Sequence, residues 1–312
     1  MSRSVAILCS GQGAQHAGMF DVVAGCVTAE PVFAAAAKYL GKDPRPFVHE
    51  APADALFNDR TGQILCCTQA LAVWVALGEA RPARAVIAGY SIGELAAWGC
   101  AGALDMQTTL QLAERRAAIM DAVAPSDSGL AGIIGLRRNE LDRLLKKHLL
   151  DIAIINDLDS FVIGGHVDAL DACCQDALAN GAKRAVRIRV TVPSHTRLMA
   201  ASVEPFRAAL HEAALKLPDY NYRLLSGLDG DTVSDLATGC DKLARQLCTP
   251  VNWAACLEGC RAAGAELALE LGPGTALSRM AAALFPPDRV RSADEFRTLT
   301  GLQAWLLRGL GE

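Results

Sequence analysis

The chain has 312 residues, of which 52% are hydrophobic and 21% charged, and its formal net charge is −4. These proportions are ordinary for a folded enzyme, and the negative balance leaves no basic footprint for nucleic acid. No apolar run reaches the roughly 18–20 residues that cross a bilayer, and no apolar leader precedes the first strand-like run. We therefore expect a cytoplasmic protein with no membrane or nucleic-acid partner. The length suits one large α/β domain with an insertion, or two domains.

The first predicted strand, Val5 to Cys9, leads into a loop with the sequence Ser10-Gly11-Gln12-Gly13-Ala14-Gln15. Two glycines around a glutamine let the backbone approach a ligand and expose an N–H group. No Gly-Lys-Ser/Thr follows, which excludes a P-loop, and His16 stands where a dinucleotide fingerprint needs its third glycine. By itself, the loop is either a tight turn or part of an active site.

Residues 17–60 are expected to form irregular surface structure with short helical stretches, because prolines interrupt the pattern. A helix is predicted over about 61–77. The 11 cysteines are odd in number and include no C-x-x-C pair. A disulfide framework or a zinc site is the alternative, but reduced, buried thiols fit a chain of this size better.

Residues 85–101 predict a buried strand, a sharp turn and a helix. The strand covers 85–88, the turn is Gly89-Tyr90-Ser91-Ile92-Gly93, and the helix begins near Glu94. A serine in a Gly-x-Ser-x-Gly turn between strand and helix lies in a strained, exposed position, next to free N–H groups at the helix start. This context favours a nucleophile over an ordinary glycine-rich turn.

The next helix is predicted from about Met106 to Val123, with Asp105 as its cap. On a helical wheel, Arg116 falls within the apolar arc, whereas Arg115 falls at its polar edge. An arginine that points into a packed face needs an anion or a hydrogen-bond partner. The position alone does not decide between a structural salt bridge and a ligand-binding role.

Residues 129–190 predict the order β-α-β-β-α-β, which is typical of a ferredoxin-like unit. We therefore predict an α/β-hydrolase-like large domain, residues 1–125 and 191–312, with an inserted ferredoxin-like subdomain, residues 126–190. His195 then follows at the junction of the two, in Val192-Pro193-Ser194-His195. A lone histidine is usually structural or exposed, so position alone leaves its role as a base open.

Taken together, these motifs resemble one family. In chain order they are Gly11-Gln12-Gly13-Ala14-Gln15, Gly89-Tyr90-Ser91-Ile92-Gly93-Glu94, Arg116, Val192-Pro193-Ser194-His195, Arg245-Gln246-Leu247 with Pro250-Val251-x-Trp253, and Glu270-x-Gly272-Pro273-Gly274. The set is similar to the malonyl-CoA:acyl carrier protein transacylases, whose fold also serves as the acyltransferase domain of fatty-acid and polyketide synthases. The resemblance covers about residues 4–285, and the family also has the inserted subdomain.

The resemblance implies a role for each matching residue in acyl transfer. Ser91 would be the nucleophile, and His195 would be its base and later its acid. The backbone N–H groups of Gln12 and Ile92 would form the oxyanion hole.

The remaining matches concern the orientation of the base and the recognition of the substrate. Arg116 would bind the free carboxylate of a malonyl group. The main-chain carbonyl of Gln246, in place of an aspartate, would orient the histidine. Gln12 and Asn156 would also line the substrate site, the match at Asn156 being the weaker.

The implied reaction moves a malonyl group from malonyl-CoA to the phosphopantetheine thiol of an acyl carrier protein through a malonyl-serine intermediate. CoA is part of the substrate, so neither a cofactor nor a metal is expected. The carrier belongs to fatty-acid synthesis, to a polyketide pathway served in trans, or to a malonate decarboxylase. Tyr90 departs from the histidine that commonly precedes the nucleophile in the family, so either the substrate fit or the environment of the serine is expected to differ there.

Two other functions are alternatives to malonyl transfer. A serine thioesterase or acyl hydrolase would use the same nucleophile, although one acting on neutral acyl groups gains nothing from a buried arginine. A carrier-docking subunit without activity would be expected to have degraded motifs, whereas Ser91, His195 and both oxyanion loops are intact. Lys183, Arg184, Arg187 and Arg189 form either a docking surface for an acidic carrier or a solvated charged face.

Overall fold

The computed structural model of the chain describes residues 4–311, which form two five-stranded sheets surrounded by helices. In chain order, the strands are β1 (Ser4–Cys9), β2 (Ala85–Gly89), β3 (Ser128–Ile134), β4 (Asp151–Asp157), β5 (Ser160–His166), β6 (Arg184–Arg187), β7 (Tyr222–Leu224), β8 (Val251–Asn252), β9 (Ala265–Glu270) and β10 (Val290–Ser292). The α-helices are α1 (Glu30–Leu40), α2 (Pro44–Glu50), α3 (Ala53–Phe57), α4 (Asp59–Ala76), α5 (Gly93–Cys100), α6 (Met106–Val123), α7 (Arg138–His148), α8 (Val167–Ala179), α9 (Val203–Glu212), α10 (Leu236–Arg245), α11 (Trp253–Ala262), α12 (Ala276–Ala281) and α13 (Leu299–Leu310). Short 3-10 helices cover Val27–Ala29, Gly78–Ala80, Arg197–Ser202, Pro287–Arg289 and Ala293–Glu295.

The first sheet has the order β10-β9-β1-β2-β7, and all its strand pairs are parallel. Val5 lies beside Ala85 on one side and Leu267 on the other, so β1 is the central strand. Its run from Val5 to Cys9 is fully buried, as expected for a parallel strand covered on both faces. Because β1 and β2 are parallel neighbours, the loop after Cys9 and the turn after Gly89 meet at one edge of the sheet. In open α/β sheets this carboxyl edge is where ligands bind.

The second sheet has the order β6-β3-β5-β4-β8. Its first three pairs are antiparallel, while β8 pairs with β4 in parallel. The chain order β3-α7-β4-β5-α8-β6 is the order that the sequence predicts. One face packs on α7 and α8 around a separate core that includes Ile133 and Ile163, and the other face joins the larger core through Leu130, Ile154 and Val162. The mixed α/β architecture is thus confirmed.

The region between residues 17 and 60 is more helical than the sequence suggested. It contains α1, α2 and α3, and the proline expected to interrupt structure at position 44 instead begins α2. Proline suits the first helical position because its φ angle is already helical and no N–H bond is needed there. Asp43 caps this helix by accepting a hydrogen bond from the backbone N–H of Arg45 at 2.9 Å. The expectation of irregular structure was wrong here.

The described residues were also searched for other site types. No helix among residues 4–311 combines the length and the apolar character needed to cross a membrane. No group of three or more histidine, cysteine or acidic side chains within the same range could hold a metal ion. All 11 cysteines have free thiols; Cys26 and Cys248 are partly exposed, and the others are buried.

Candidate active site

Ser91 stands on the sharp turn between β2 and α5. Its φ angle of 56° lies in the left-handed region, which a residue with a side chain rarely adopts. Glycine is needed on both sides: a Cβ at Gly89 would lie 2.2 Å from the Cα of Glu94, and one at Gly93 would lie 2.1 Å from the carbonyl oxygen of Cys9. The turn therefore packs tightly against β1 and projects the serine from the carboxyl edge of the sheet.

His195 lies against Ser91, although 104 positions separate them in the sequence. Its Nε2 is 2.8 Å from the Ser91 Oγ, and its Nδ1 is 2.6 Å from the main-chain carbonyl oxygen of Gln246. A carbonyl oxygen can only accept, so Nδ1 carries the proton and Nε2 is free to accept the serine proton. Burial, together with the charge of Arg116, lowers the pKa of His195 to about 3. The imidazole is therefore neutral near pH 7, the form that a general base requires.

The loop after β1 packs beside the serine turn. A Cβ at Gly11 would lie 2.8 Å from the carbonyl oxygen of Tyr90 and 3.6 Å from the Cβ of Ser91. The Gln12 side chain is held by the carbonyl oxygen of Asp59 at 3.0 Å. Within residues 4–311, the backbone N–H groups of Gln12 and Ile92 have no hydrogen-bond acceptor. Both donors are thus available to an oxygen atom bound beside Ser91.

Arg116 is almost fully buried, with 1% of its surface exposed. Its Nη1 donates to Gln63 Oε1 at 2.7 Å, and its Nη2 donates to Gln246 Oε1 at 3.4 Å. Among the described residues Arg116 forms no ion pair. Its two hydrogen-bond partners are both neutral side-chain amides. Burial lowers its pKa to about 10, an effect that the charge of Asp59 opposes, and the guanidinium stays protonated near pH 7. A buried cation without a partner carboxylate favours the binding of an anion.

Tyr90 connects the serine turn to the second sheet. Its hydroxyl donates to Asn156 Oδ1 on β4 at 3.1 Å, and its ring packs edge-to-face on Trp253 with centroids 5.5 Å apart. Burial raises the pKa of Tyr90, so the phenol remains protonated as this donor. Asn156, proposed from the resemblance to line the site, is thus brought to the residue next to Ser91.

A cleft of about 340 Å³ lies between the two sheets and contains Ser91 and His195 in its lining. One wall is the face of the second sheet that does not carry α7 and α8, with Leu130, Gly132 and Ile134 in a row along β3. The opposite wall consists of the loop after β1 and residues of α12. The cleft leads to the reactive serine along a mainly apolar surface.

Two residues of the site were given no role from the sequence. Gln63 is fully buried in α4. In the sequence it directly precedes Ile64 and Leu65, and a glutamine beside such an apolar pair is a signal that could have been used. Glu94, which follows the serine motif directly, is buried and accepts a hydrogen bond from Gln246.

The basic side chains considered for docking are all exposed. Arg184 also lines the cleft, Arg187 pairs with Asp171 at 3.4 Å, and Arg189 lies over the Phe57 ring.

Comparison with known proteins agrees with this geometry. Residues 63–271 match the family model described as the acyl transferase domain. The chain is 31% identical over 281 residues to the malonyl CoA-acyl carrier protein transacylase of Escherichia coli, covering 86% of this chain and 88% of that protein. The structure of the corresponding enzyme from Coxiella burnetii superposes with a TM-score of 0.88 at 25% identity, covering 100% of this chain and 98% of the other.

A second structure, a type II polyketide synthase acyl-carrier protein in complex with its malonyl-transacylase, superposes with a TM-score of 0.85 at 26% identity and covers 99% of both chains. The chain therefore belongs to the acyl transferase family, in the group that includes the bacterial malonyl CoA-acyl carrier protein transacylases.

Proposed function

We propose that this protein transfers a malonyl group from malonyl-CoA to the phosphopantetheine thiol of an acyl carrier protein, through a malonyl ester on Ser91. The observation that carries the proposal is the buried guanidinium of Arg116, which has no carboxylate partner among the described residues and is joined through Gln246 to the Ser91–His195 pair. A malonyl thioester brings both an electrophilic carbonyl for the serine and a carboxylate for the arginine. The names of the relatives point to the same substrates.

The first half-reaction follows from the hydrogen bonds. His195 Nε2 takes the proton of the Ser91 hydroxyl while Oγ attacks the thioester carbonyl carbon. The negative charge that develops on the carbonyl oxygen would be stabilised by the N–H groups of Gln12 and Ile92. The C–S bond then breaks, the CoA sulfur takes the proton from His195, and the malonyl-serine ester remains.

The second half-reaction reverses these steps with a different thiol. The phosphopantetheine thiol of the carrier gives its proton to His195, and its sulfur attacks the ester carbonyl. The C–O bond to Ser91 breaks, and the serine oxygen recovers the proton from His195. The residues supply the nucleophile, the base and the oxyanion donors, so we propose that no cofactor or metal takes part. A cytoplasmic location stays a prediction.

The carrier would approach the cleft from its exposed end, where Arg184 lies. A positive side chain at the entrance suits an acidic carrier and speeds its encounter with the site. Fatty-acid synthesis, a polyketide pathway and a malonate decarboxylase all provide such carriers, and the chemistry is the same for each.

We also propose that residues 126–190 form a subdomain inserted between two segments of a catalytic domain, residues 1–125 and 191–312. The strands β3 to β6, both intervening helices and a separate apolar core lie within this stretch. The pairing of β8 with β4 would attach the subdomain to the larger unit.

The proposal is tested by intact-protein mass spectrometry after brief exposure to malonyl-CoA, with acetyl-CoA and methylmalonyl-CoA in parallel. We expect a malonyl adduct on the peptide that contains Ser91, and we expect its transfer to an added holo-carrier protein. An adduct from acetyl-CoA but not from malonyl-CoA would contradict the role of Arg116. Release of free malonate without an adduct or transfer would favour the hydrolase.

A leucine at position 132 is expected to obstruct the cleft. Gly132 lies in the middle of β3 without a positive φ angle, and a Cβ there would have no atom within 4 Å, so the fold does not require glycine. A glycine inside a strand often marks the close approach of a ligand. We expect Gly132→Leu to lower kcat/KM for malonyl-CoA about 10-fold or more, with an unchanged melting temperature.

Gly25→Leu is the matched control, because that exposed glycine is equally open and lies outside the cleft. Equal kcat/KM values for the two variants would show that the substrate does not pass over Gly132.

A further inference from the structure

Glu94 is a buried carboxyl group to which the proposed reaction gives no role. It lies in the first turn of α5, three residues after Ser91, with 1% of its surface exposed. Its Oε2 accepts a hydrogen bond from the backbone N–H of Gly227 at 3.0 Å and another from the side-chain amide of Gln246. Among the described residues Glu94 forms no ion pair. A buried carboxyl group is costly, so its presence beside the reactive residues needs a reason.

Gln246 is the common partner of the groups in the site. Its main-chain carbonyl accepts from His195, and its Oε1 accepts from Arg116. Its Nε2 donates to Glu94 and, at 3.4 Å, to the carbonyl oxygen of Ser91. The side-chain amide therefore lies between a guanidinium, which can only donate, and a carboxylate, which can only accept. These two partners permit only one orientation of the amide.

We propose that Glu94 is a positioning residue that holds Gln246 in place, so that its main-chain carbonyl orients His195 and its side-chain oxygen supports Arg116. This inference rests on the proposed function. An acidic residue would then help to orient the histidine, as an aspartate does in a Ser-His-Asp triad, but through Gln246 instead of by direct contact. The hydrogen bond from Nε2 to the Ser91 carbonyl ties the same glutamine to the serine turn.

The charges around Glu94 show that the hydrogen bonds, not a fixed charge, are the basis of this role. Burial raises its pKa to about 7; the Gly227 N–H, the Gln246 amide and Arg116 act to lower it, and Asp229 acts to raise it. The Glu94 carboxyl group therefore takes up a proton at a higher pH than an exposed glutamate does. A carboxyl oxygen accepts hydrogen bonds in both protonation states, so an amide oxygen of the same reach should replace it.

A purely structural role is the alternative, since Glu94 also anchors the chain at Gly227. A Cβ at Gly227 would lie 2.5 Å from Glu94 Oε2, which shows how closely that segment packs on the carboxyl group. Loss of this anchor would lower stability and the fraction of active protein. It would not slow the reaction of the molecules that remain active.

The test measures the single-turnover rate of malonyl-serine formation per active site, together with KM and the melting temperature. We expect Glu94→Gln to stay within about 3-fold of the wild type, because its amide oxygen can accept both hydrogen bonds. Glu94→Asp keeps the charge but withdraws the acceptor by one methylene, and we expect it and Glu94→Ala to acylate roughly 10- to 100-fold more slowly with little change in KM.

A control is Asp43→Ala, because Asp43 also accepts a hydrogen bond from a backbone N–H, that of Arg45 at 2.9 Å, and does not line the cleft. It should lose stability but keep its rate per active site.

Two results would overturn the inference: a wild-type rate in both Glu94→Asp and Glu94→Ala, or a Glu94→Gln variant as slow as these two. If Glu94→Ala does not fold, the comparison of the Gln and Asp variants decides. If the wild-type protein itself forms no malonyl adduct on Ser91, the proposed function fails. If the adduct forms at the same rate in every variant, only the role of Glu94 is lost.

Discussion

Replacing His195 with alanine is expected to slow the acylation of Ser91 by malonyl-CoA about 10²- to 10⁴-fold. Among residues 4–311 the serine hydroxyl has no other proton acceptor within hydrogen-bond distance, and the loss of a general base costs a factor in this range. The rate is measured by rapid quenching followed by intact-protein mass spectrometry. His211→Ala, an exposed histidine on α9, is the control and should react like the wild type. A loss of less than 10-fold in His195→Ala would contradict the assignment of the base.

The low pKa of His195 also predicts how the acylation rate depends on pH. The neutral imidazole acts as the base, and it is the dominant form above a pKa of about 3. Lowering the pH from 8 to 5 therefore does not protonate it in the free enzyme, so any fall in kcat/KM over this range must come from another group. The charge of Arg116 is, after burial, one cause of the low pKa of His195. A bound carboxylate that neutralises Arg116 would make His195 a stronger base.

Replacing Arg116 with alanine is expected to reverse the preference for the acyl group. Removing one partner of a buried ion pair costs about 3–5 kcal/mol, which corresponds to a loss of roughly 10²- to 10⁴-fold in kcat/KM for malonyl-CoA. Acetyl-CoA has no carboxylate, so its acylation rate should stay constant or rise, because the charge that weakens His195 as a base is gone. Parallel adduct measurements with the two thioesters give the ratio.

Arg115→Ala provides a matched control on the same helix. Arg115 pairs with Glu212 at 2.7 Å on the surface, where such pairs contribute only about 0–1 kcal/mol. We expect it to keep the wild-type preference. If Arg116→Ala turned over malonyl-CoA as fast as the wild type, transfer of a malonyl group would no longer be the favoured reaction.

The local structure around the site could be predicted closely from the sequence. The helix α6 covers Met106–Val123 as predicted, because Asp105 caps its N-terminus by accepting from the N–H of Thr108 at 2.7 Å. The strand, turn and helix around Ser91 also lie where the glycine spacing placed them. Capping residues and close glycine contacts act over a few positions, so they leave a readable pattern.

The contacts between distant segments could not be predicted in this way. Gln63 and Arg116 are 53 positions apart, and Glu94 and Gln246 are 152 apart. Their hydrogen bonds form only when the packing of α4, α5, α6 and α10 brings the side chains together, and no local spacing encodes that packing. Tyr90 was recognised as a departure from the family pattern, but its bond to Asn156 depends on how the two sheets face each other.

The backbone at the two reactive residues has a consequence for the engineering of this fold. Ser91 and His195 have φ angles of 56° and 64°, and together with Leu149 they are the non-glycine residues of positive φ among residues 4–311. Each such conformation costs on the order of 1–2 kcal/mol for a residue with a side chain. Directed evolution under heat selection alone would therefore favour glycine at position 91, whereas the buried imidazole of His195 is kept by its packing and its two hydrogen bonds, and the product would be a stable but inert protein. A thermostabilisation library should keep the codons of Ser91 and His195 fixed and vary positions outside the active site.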